Sequence, residues 1–239
     1  NKYNNCSLSF YYHYLAKIRM NDVIDEYADA GIMGTAIHDS LDKNYPLGIL
    51  TEEFIKDNTS AILKDIEDNF VSALSEQGMK EGKNYLSLQI AQKLTTDFLA
   101  LEMQLLNKAA ADNKRVNIIG KEAKLAHSIT VNGIDFNLIG KADRVDFEGD
   151  TLRIIDYKTG KVEEKEVAFT EYDEIIDDPS KAKAFQLLMY SYLYLKMNPK
   201  YIGTDTDVIS GNFSFKNLKP GLIKVGKKIS SREKEVLKI

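Results

Sequence analysis

The sequence has little cysteine and no long apolar run, and each absence excludes a class of protein. Its single cysteine, Cys6, can form neither an internal disulfide nor a metal site based on cysteine spacing, so we expect a reducing compartment, the cytoplasm. No uncharged apolar run approaches the ~18 residues of a membrane span, and the N-terminus lacks the charged-then-apolar order of a signal peptide. We therefore expect a soluble cytoplasmic protein with no membrane partner.

The sequence also lacks a surplus of positive charge. It has 32 Lys and Arg residues against 36 Asp and Glu residues, a formal net charge of −4, whereas many nucleic-acid binders are basic. With 44% hydrophobic residues it is too apolar for a disordered chain, and 239 residues suffice for one large domain. Because the sequence begins without Met and stops in a charged segment without a turn signal, we expect 1–239 to be a single domain cut from a longer polypeptide.

The first half of the sequence has the apolar spacing of helices. Residues 4–20 are rich in aromatic side chains and predict a buried amphipathic helix. Its apolar positions at helical spacing are Leu8, Tyr11, Tyr12 and Leu15. Residues 31–43 predict a short helix that carries His38 and ends before a proline. Two longer amphipathic helices are predicted at about 51–76 and 87–110.

The second half of the sequence alternates between apolar and polar residues, as strands do. Residues 115–160 predict four successive strands in an antiparallel meander, with Asn132–Gly133 and Gly149–Asp150 as hairpin turns. A charged loop follows, and residues 181–197 predict a helix. The last two strand candidates lie within 205–215 and 221–226. This order of elements predicts an α/β (α+β) fold with a helical N-terminal half.

The Gly149–Asp150 turn determines which residues of its two flanking strands face each other. A two-residue loop of the type II′ kind pairs every residue with its mirror position about the turn. Asp146 then lies opposite Arg153, and this favourable charge pair supports the register. On the other face of the ribbon, Asp143 lies across from Asp156, with Cβ atoms roughly 4.5 to 5.5 Å apart.

Two carboxylates placed side by side repel each other. Such a pair persists if a cation lies between them, if one carboxyl is protonated or if a lysine compensates, and hard divalent cations prefer oxygen ligands. Lys158 lies two residues beyond Asp156 and projects from the same face. An isolated D-x-K tripeptide is usually a set of solvated surface charges. The second carboxylate and the apolar residues beside it favour the floor of a site.

A helix and one histidine supply further candidates. Gln186, Tyr190 and Tyr194 repeat at four-residue spacing on one side of the predicted helix. Their polar groups could meet phosphate oxygens or support a metal site, or they could bond backbone carbonyls as core tyrosines do. His38 could be a third ligand beside two carboxylates, or a structural histidine.

Four short motifs follow one another in a distinctive order. They are GTAIH at 34–38, GKADRVD at 140–146, IDYKTG at 155–160 and QLLMY at 186–190. On these motifs the sequence resembles the PD-(D/E)xK nuclease superfamily, and within it the RecB/AddB-type nuclease domain at the end of bacterial helicase–nuclease subunits. The opening CSLSFYYHYL is also similar to the start of such domains. The resemblance therefore implies one nuclease domain over residues 1–239.

The resemblance implies a role for each motif residue. The implied metal ligands are His38, Asp143, Asp156 and the backbone carbonyl of Tyr157, and the implied cofactor is Mg²⁺ or Mn²⁺. Lys158 is expected to position and activate the attacking water or to stabilise the charge that develops around phosphorus. Gln186 and Tyr190 are expected to support the catalytic site or the DNA backbone.

The resemblance also implies a fold and an activity. The fold is restriction-endonuclease-like, a mixed central β-sheet flanked by helices. The activity is divalent-metal-dependent hydrolysis of DNA phosphodiester bonds, as an exonuclease in recombination and DNA repair. The implied partners are DNA and a helicase, either another subunit or a domain of the same polypeptide. Many relatives hold an iron–sulfur cluster on four cysteines, and with Cys6 alone we expect no cluster in this chain.

Two other functions compete with this interpretation. A catalytically inactive module could use the same fold to bind DNA or act as a scaffold, but such a module has no physical need for the complete set of His38, Asp143, Asp156 and Lys158. A carboxylate-pair hydrolase such as a glycosidase is disfavoured, because the adjacent lysine would keep both acids ionised and remove the proton donor.

Overall fold

The protein combines helices with one β-sheet. The computed structural model describes residues 6–18, 28–74 and 82–226. The helices in these ranges are α1 (Ser7–Phe10), α2 (Ala30–Asn44), α3 (Glu52–Leu74), α4 (Gly82–Ala111), α5 (Tyr172–Asp177) and α6 (Ala182–Met197). A π-helical turn, Tyr11–Leu15, follows α1. Single 3₁₀ turns occur at Glu164–Glu166, Pro179–Lys181 and Pro199–Tyr201.

The sheet has six strands in sequence order, and one neighbouring pair is parallel. The strands are β1 (Gly48–Leu50), β2 (Val116–Val131), β3 (Ile134–Glu148), β4 (Thr151–Lys158), β5 (Val208–Ser214) and β6 (Leu222–Lys224). Only β4 and β5 pair in parallel, and the connection between them contains α6, as a parallel pair requires. The mixed central sheet flanked by helices that we expected is therefore confirmed.

Helices cover the two faces of the sheet. On one face, α2, α3 and α4 pack against Ile155, Tyr157 and Phe213 of the strands. The apolar residues of α3 recur at helical spacing, and all four are buried: Ile55, Ile62, Ile66 and Phe70. On the other face, α6 contributes Leu193 to a second cluster of strand residues. Residues 143–158 therefore lie between two covered faces.

Three of the helix predictions are confirmed with small shifts of their ends, and one expectation about strands is wrong. The helices predicted at 51–76, 87–110 and 181–197 are α3, α4 and α6, and the short helix that carries His38 is α2. The four strands expected in 115–160 are three, because β2 continues through an irregularity between Ile118 and Gly120 instead of ending there. Among the described residues, each helix is too short or too polar to cross a membrane.

The aromatic N-terminal segment is not buried as we expected. Within the described residues 6–18, Leu8 is 58% exposed, Leu15 is 65% exposed, and the tyrosines at 11 and 12 are about half exposed. Its aromatic rings contact one another, as Phe10 and Tyr14 do at 4.9 Å between ring centroids. Helical apolar spacing identifies the apolar side of a segment, but burial also needs a facing surface, which no described part of the sheet or of the later helices supplies. Residues 4, 5, 19 and 20 of this prediction lie outside the described residues.

Candidate active site

The β3–β4 hairpin brings two carboxylates to one end of the sheet. Its observed register pairs Asp146 with Arg153, as the turn predicts, and continues to Arg144 opposite Ile155. The next residues toward the site are Asp143 and Asp156, where the regular ladder has ended. There the backbone N–H of Tyr157 donates to Oδ2 of Asp143 at 2.6 Å. The side chain of Asp143 therefore replaces a strand carbonyl as partner and is fixed at the mouth of the hairpin.

Asp156 is the more deeply buried carboxylate of the site. Its Oδ2 accepts a hydrogen bond from Asn212 Nδ2 at 2.7 Å and lies 2.8 Å from Lys158 Nζ. Burial raises the pKa of Asp156 to about 6; the Lys158 ammonium opposes this rise and the charge of Asp143 adds to it. Both donors act on Oδ2, so Oδ1 is the oxygen that remains for a cation.

His38 reaches the site from α2. Its Nδ1 lies 3.4 Å from Oδ1 of Asp143. Burial by itself would lower the pKa of His38, but the hydrogen bond and charge of Asp143, with Asp156 and Glu122 nearby, raise it above its usual value. The ring also meets Tyr157 edge-on, with centroids 6.0 Å apart. His38 therefore lies within an acidic cluster, as a metal ligand would.

Glu122 belongs to the same cluster, and the sequence analysis missed it. One possible ligand atom each from His38, Glu122 and Asp143 lies within 4.8 Å of the others. Glu122 has a positive φ of 44°, at a break in the β2–β3 ladder, and it bonds Lys141 across the ribbon. Counting back from the Asn132–Gly133 turn, as from the other turn, places Glu122 opposite Asp143 and would have found it.

The polar side of α6 borders the carboxylates. Gln186 Nε2 donates to the hydroxyl of Tyr190 at 2.7 Å. Burial raises the pKa of Tyr190; Gln186 opposes that rise, and the charges of Asp156 and Asp143 add to it. Tyr190 also packs closely on Gly140. Of the three residues predicted along this helix side, Tyr194 is directed elsewhere, since it stacks on Tyr201 with centroids 6.4 Å apart.

A buried charge network supports the hairpin from the opposite face. Arg144 bonds Glu102 of α4, and its Nε donates to Asp146 at 2.5 Å. Glu102 also accepts the hydroxyl of Tyr45. The side chain of Tyr157 lies on this face, with its hydroxyl 3.4 Å from Nη1 of Arg144, so Tyr157 presents only its main chain toward the carboxylates. The sequence analysis found the Asp146–Arg153 pair of this network but missed Glu102 and Arg144.

The site residues expected from the sequence therefore come together in one place. His38, Asp143, Asp156 and Lys158 form a cluster at the end of β4, with Gln186 and Tyr190 beside it. The metal-binding and catalytic roles assigned to them, including that of the Tyr157 carbonyl, remain predictions. The ligand chemistry of carboxylates with one imidazole suits hard divalent cations.

Comparison with known proteins identifies the family. The model of the PD-(D/E)XK nuclease superfamily matches residues 1–235. Two curated relatives, both subunits of an ATP-dependent helicase/deoxyribonuclease, come from Thermoanaerobacter sp. (strain X514) and Thermoanaerobacter pseudethanolicus (strain ATCC 33223 / 39E). Each is 24% identical over 249 residues, which cover 99% of this chain and 20% of the relative. This chain, which spans about a fifth of the length of those relatives, belongs to the PD-(D/E)XK nuclease superfamily.

Proposed function

We propose that this domain is a divalent-metal-dependent deoxyribonuclease that hydrolyses DNA phosphodiester bonds. The observation that carries the proposal is the convergence of three carboxylates, one imidazole and one lysine at the end of β4. The carboxylates are those of Glu122, Asp143 and Asp156. Structural ion pairs alone do not explain this set, because two lysines face three acids and the imidazole must share their charge.

The donor set fits a hard cation. Carboxylate oxygens of Glu122 and Asp143 and Nδ1 or Nε2 of His38 lie close enough to share one ion, and Asp156 adds Oδ1 beside them. When bound, Mg²⁺ or Mn²⁺ would polarise a phosphoryl oxygen and activate a water for hydrolysis. Among the described residues, thiolate ligands do not approach this cluster, which argues against a softer metal.

Lys158 has the position required of a catalytic lysine. Its side chain is 29% exposed, so it can turn from Asp156 toward a phosphate at the open side of the cluster. An ammonium there orients the attacking water and stabilises the negative charge that develops on the phosphoryl oxygens, an effect of about 10²- to 10³-fold for one well-placed donor. Gln186 and Tyr190 offer an amide and a hydroxyl that can orient the DNA backbone beside it.

The proposed biological setting follows the relatives. Their name combines an ATP-dependent helicase with a deoxyribonuclease. We infer that the single domain 1–239 acts on DNA in the cytoplasm as an exonuclease in recombination and repair, with a helicase subunit or a helicase domain of the same polypeptide as partner. Such a partner would also compensate for the acidic net charge of this domain, because it can hold the DNA electrostatically.

The test is a cleavage assay on single- and double-stranded DNA with the purified chain. We expect cleavage with Mg²⁺ or Mn²⁺, none with a chelator, and none with the double variant Asp143→Asn/Asp156→Asn. Products that shorten from the ends of linear DNA, with circular DNA intact, would support an exonuclease. DNA binding without cleavage in the presence of either cation would favour the inactive binding module instead.

A further inference from the structure

Asn212 is buried directly behind the catalytic carboxylate. It lies on β5 opposite Asp156 in the parallel ladder and is fully buried. Its Nδ2 donates to Oδ2 of Asp156 at 2.7 Å and to the backbone carbonyl of the same residue at 3.2 Å. Asn212 therefore fixes both the side chain and the main chain of Asp156.

We propose that Asn212 is a positioning residue that keeps Asp156 in place when Lys158 turns to the substrate. The inference deepens the proposed function and rests on it. In the structure, Oδ2 of Asp156 is shared by Asn212 and Lys158. When the ammonium moves to the attacking water or the phosphate, this oxygen loses one donor, and a buried carboxylate without a donor is costly. Asn212 remains as the second donor, so Oδ1 stays directed at the cation.

The other half of the Asn212 amide shows that its bond to Asp156 is the stabilising contact of this side chain. Its Oδ1 is buried and has no hydrogen-bond partner among the described residues. A buried unsatisfied acceptor is unfavourable, and an apolar side chain of similar size would avoid that cost. The amide therefore contributes its donor to Asp156 at the expense of an orphaned acceptor.

The same strand offers a matched control. Ser210 lies two residues before Asn212, so it projects from the same face of β5. It is also fully buried, and its Oγ likewise has no partner among the described residues. Ser210→Ala removes a buried polar atom at this face without removing a donor to Asp156.

The test measures Mn²⁺ binding by titration calorimetry, independently of cleavage, in four proteins. They are the wild type, Asn212→Leu, Lys158→Met and the double variant. Since either donor alone can hold Oδ2, we expect Asn212→Leu to weaken Mn²⁺ binding modestly in the wild type and by about tenfold or more with Lys158→Met, the range for a hydrogen bond to a charged group. Ser210→Ala should bind Mn²⁺ as the wild type does.

The coupling between the two positions separates positioning from general damage to the fold. A structural defect would weaken binding by the same factor in both backgrounds, and such additivity would overturn the proposal, as would unchanged binding in the double variant. If the leucine variant does not fold, Asn212→Ala removes the same donor without added bulk and is held to the same criterion. Normal Mn²⁺ binding by a wild type that cleaves no DNA would refute the proposed nuclease function and leave this measurement interpretable.

Discussion

Asp146 and Arg153 lie opposite each other in the β3–β4 hairpin, and the guanidinium donates to the carboxylate at 2.6 and 2.9 Å. Arg144 donates to the same carboxylate from the neighbouring position. Burial would raise the pKa of Asp146, but the two guanidiniums lower it below its usual value. The carboxylate therefore stays ionised inside the protein and locks the register that delivers Asp143 and Asp156 to one end.

The two arginines of this network should differ in their effect on stability. Arg144→Met leaves Glu102 buried with only the Tyr45 hydroxyl as a described partner, whereas Arg153→Met leaves Asp146 paired with Arg144. Because an uncompensated buried charge costs about 3–5 kcal/mol, we expect urea denaturation to show the larger loss for Arg144→Met. Arg153→Met should bind Mn²⁺ as the wild type does, because this network lies on the face opposite the carboxylate cluster. Equal losses of stability would contradict this account of the network.

Lys158→Ala should remove most DNase activity and leave the fold largely unchanged. The ammonium supplies transition-state stabilisation worth about 10² to 10³ in rate, while the side chain is too exposed to be core material. Cleavage rates at saturating Mg²⁺, with DNA binding measured by fluorescence anisotropy in a chelator, test both halves of this prediction. Lys161→Ala is the control, since Lys161 lies three residues away and pairs with the exposed Glu163. Full activity of the Lys158 variant would favour the binding-module interpretation.

The β3–β4 register and the four motifs could be predicted because both are local. A two-residue turn leaves no freedom in how its strands pair, so Asp146 and Arg153 meet as expected. Contacts between distant segments could not be predicted in this way. Arg144 and Glu102 are 42 residues apart, and their contact depends on how α4 packs on the sheet. Asn212 meets Asp156 only through a parallel pairing whose register is set by the crossover through α6.

Glu122→Gln should weaken cation binding without loss of stability. The variant keeps the size of the side chain but removes one of the three acidic groups of the cluster. Calorimetric titration with Mn²⁺ should show an affinity loss of about tenfold or more, the usual range for a lost charged contact. Glu163→Gln removes an exposed carboxylate that pairs only with Lys161 and Lys165 and should leave Mn²⁺ affinity unchanged. Equal affinities for the two variants would remove Glu122 from the ligand set.

The metal-free protein should lose stability at Asp156 as the pH rises. The folded pKa of about 6 is above the usual 3.8, so the folded protein retains this proton after the unfolded chain has released it. The favourable contribution is complete below about pH 4 and is lost as the pH rises toward about 6. Asp156→Asn removes the titration, so its free energy of unfolding relative to the wild type should increase over this interval. A constant difference across this interval would show that the pKa of Asp156 is not raised.

Gly140 and Gly160 provide a test of how tightly Tyr190 packs at the site. A Cβ at position 140 would lie 2.9 Å from Cε1 of Tyr190, a contact that real side chains avoid, whereas a Cβ at 160 meets nothing within 4 Å. We expect Gly140→Ala to displace the tyrosine and to cost about 1–3 kcal/mol of stability, the usual range for overpacking.

Gly160→Ala should be neutral or slightly stabilising, because its backbone lies outside the left-handed region and alanine restricts the unfolded chain. If Tyr190 orients the DNA backbone, Gly140→Ala should also reduce the cleavage rate while Mn²⁺ affinity stays near that of the wild type, since Tyr190 is not a ligand. Thermal denaturation, calorimetry and cleavage on the same two variants separate these effects. Loss of Mn²⁺ affinity together with cleavage would instead show that the tyrosine holds the carboxylates themselves in place.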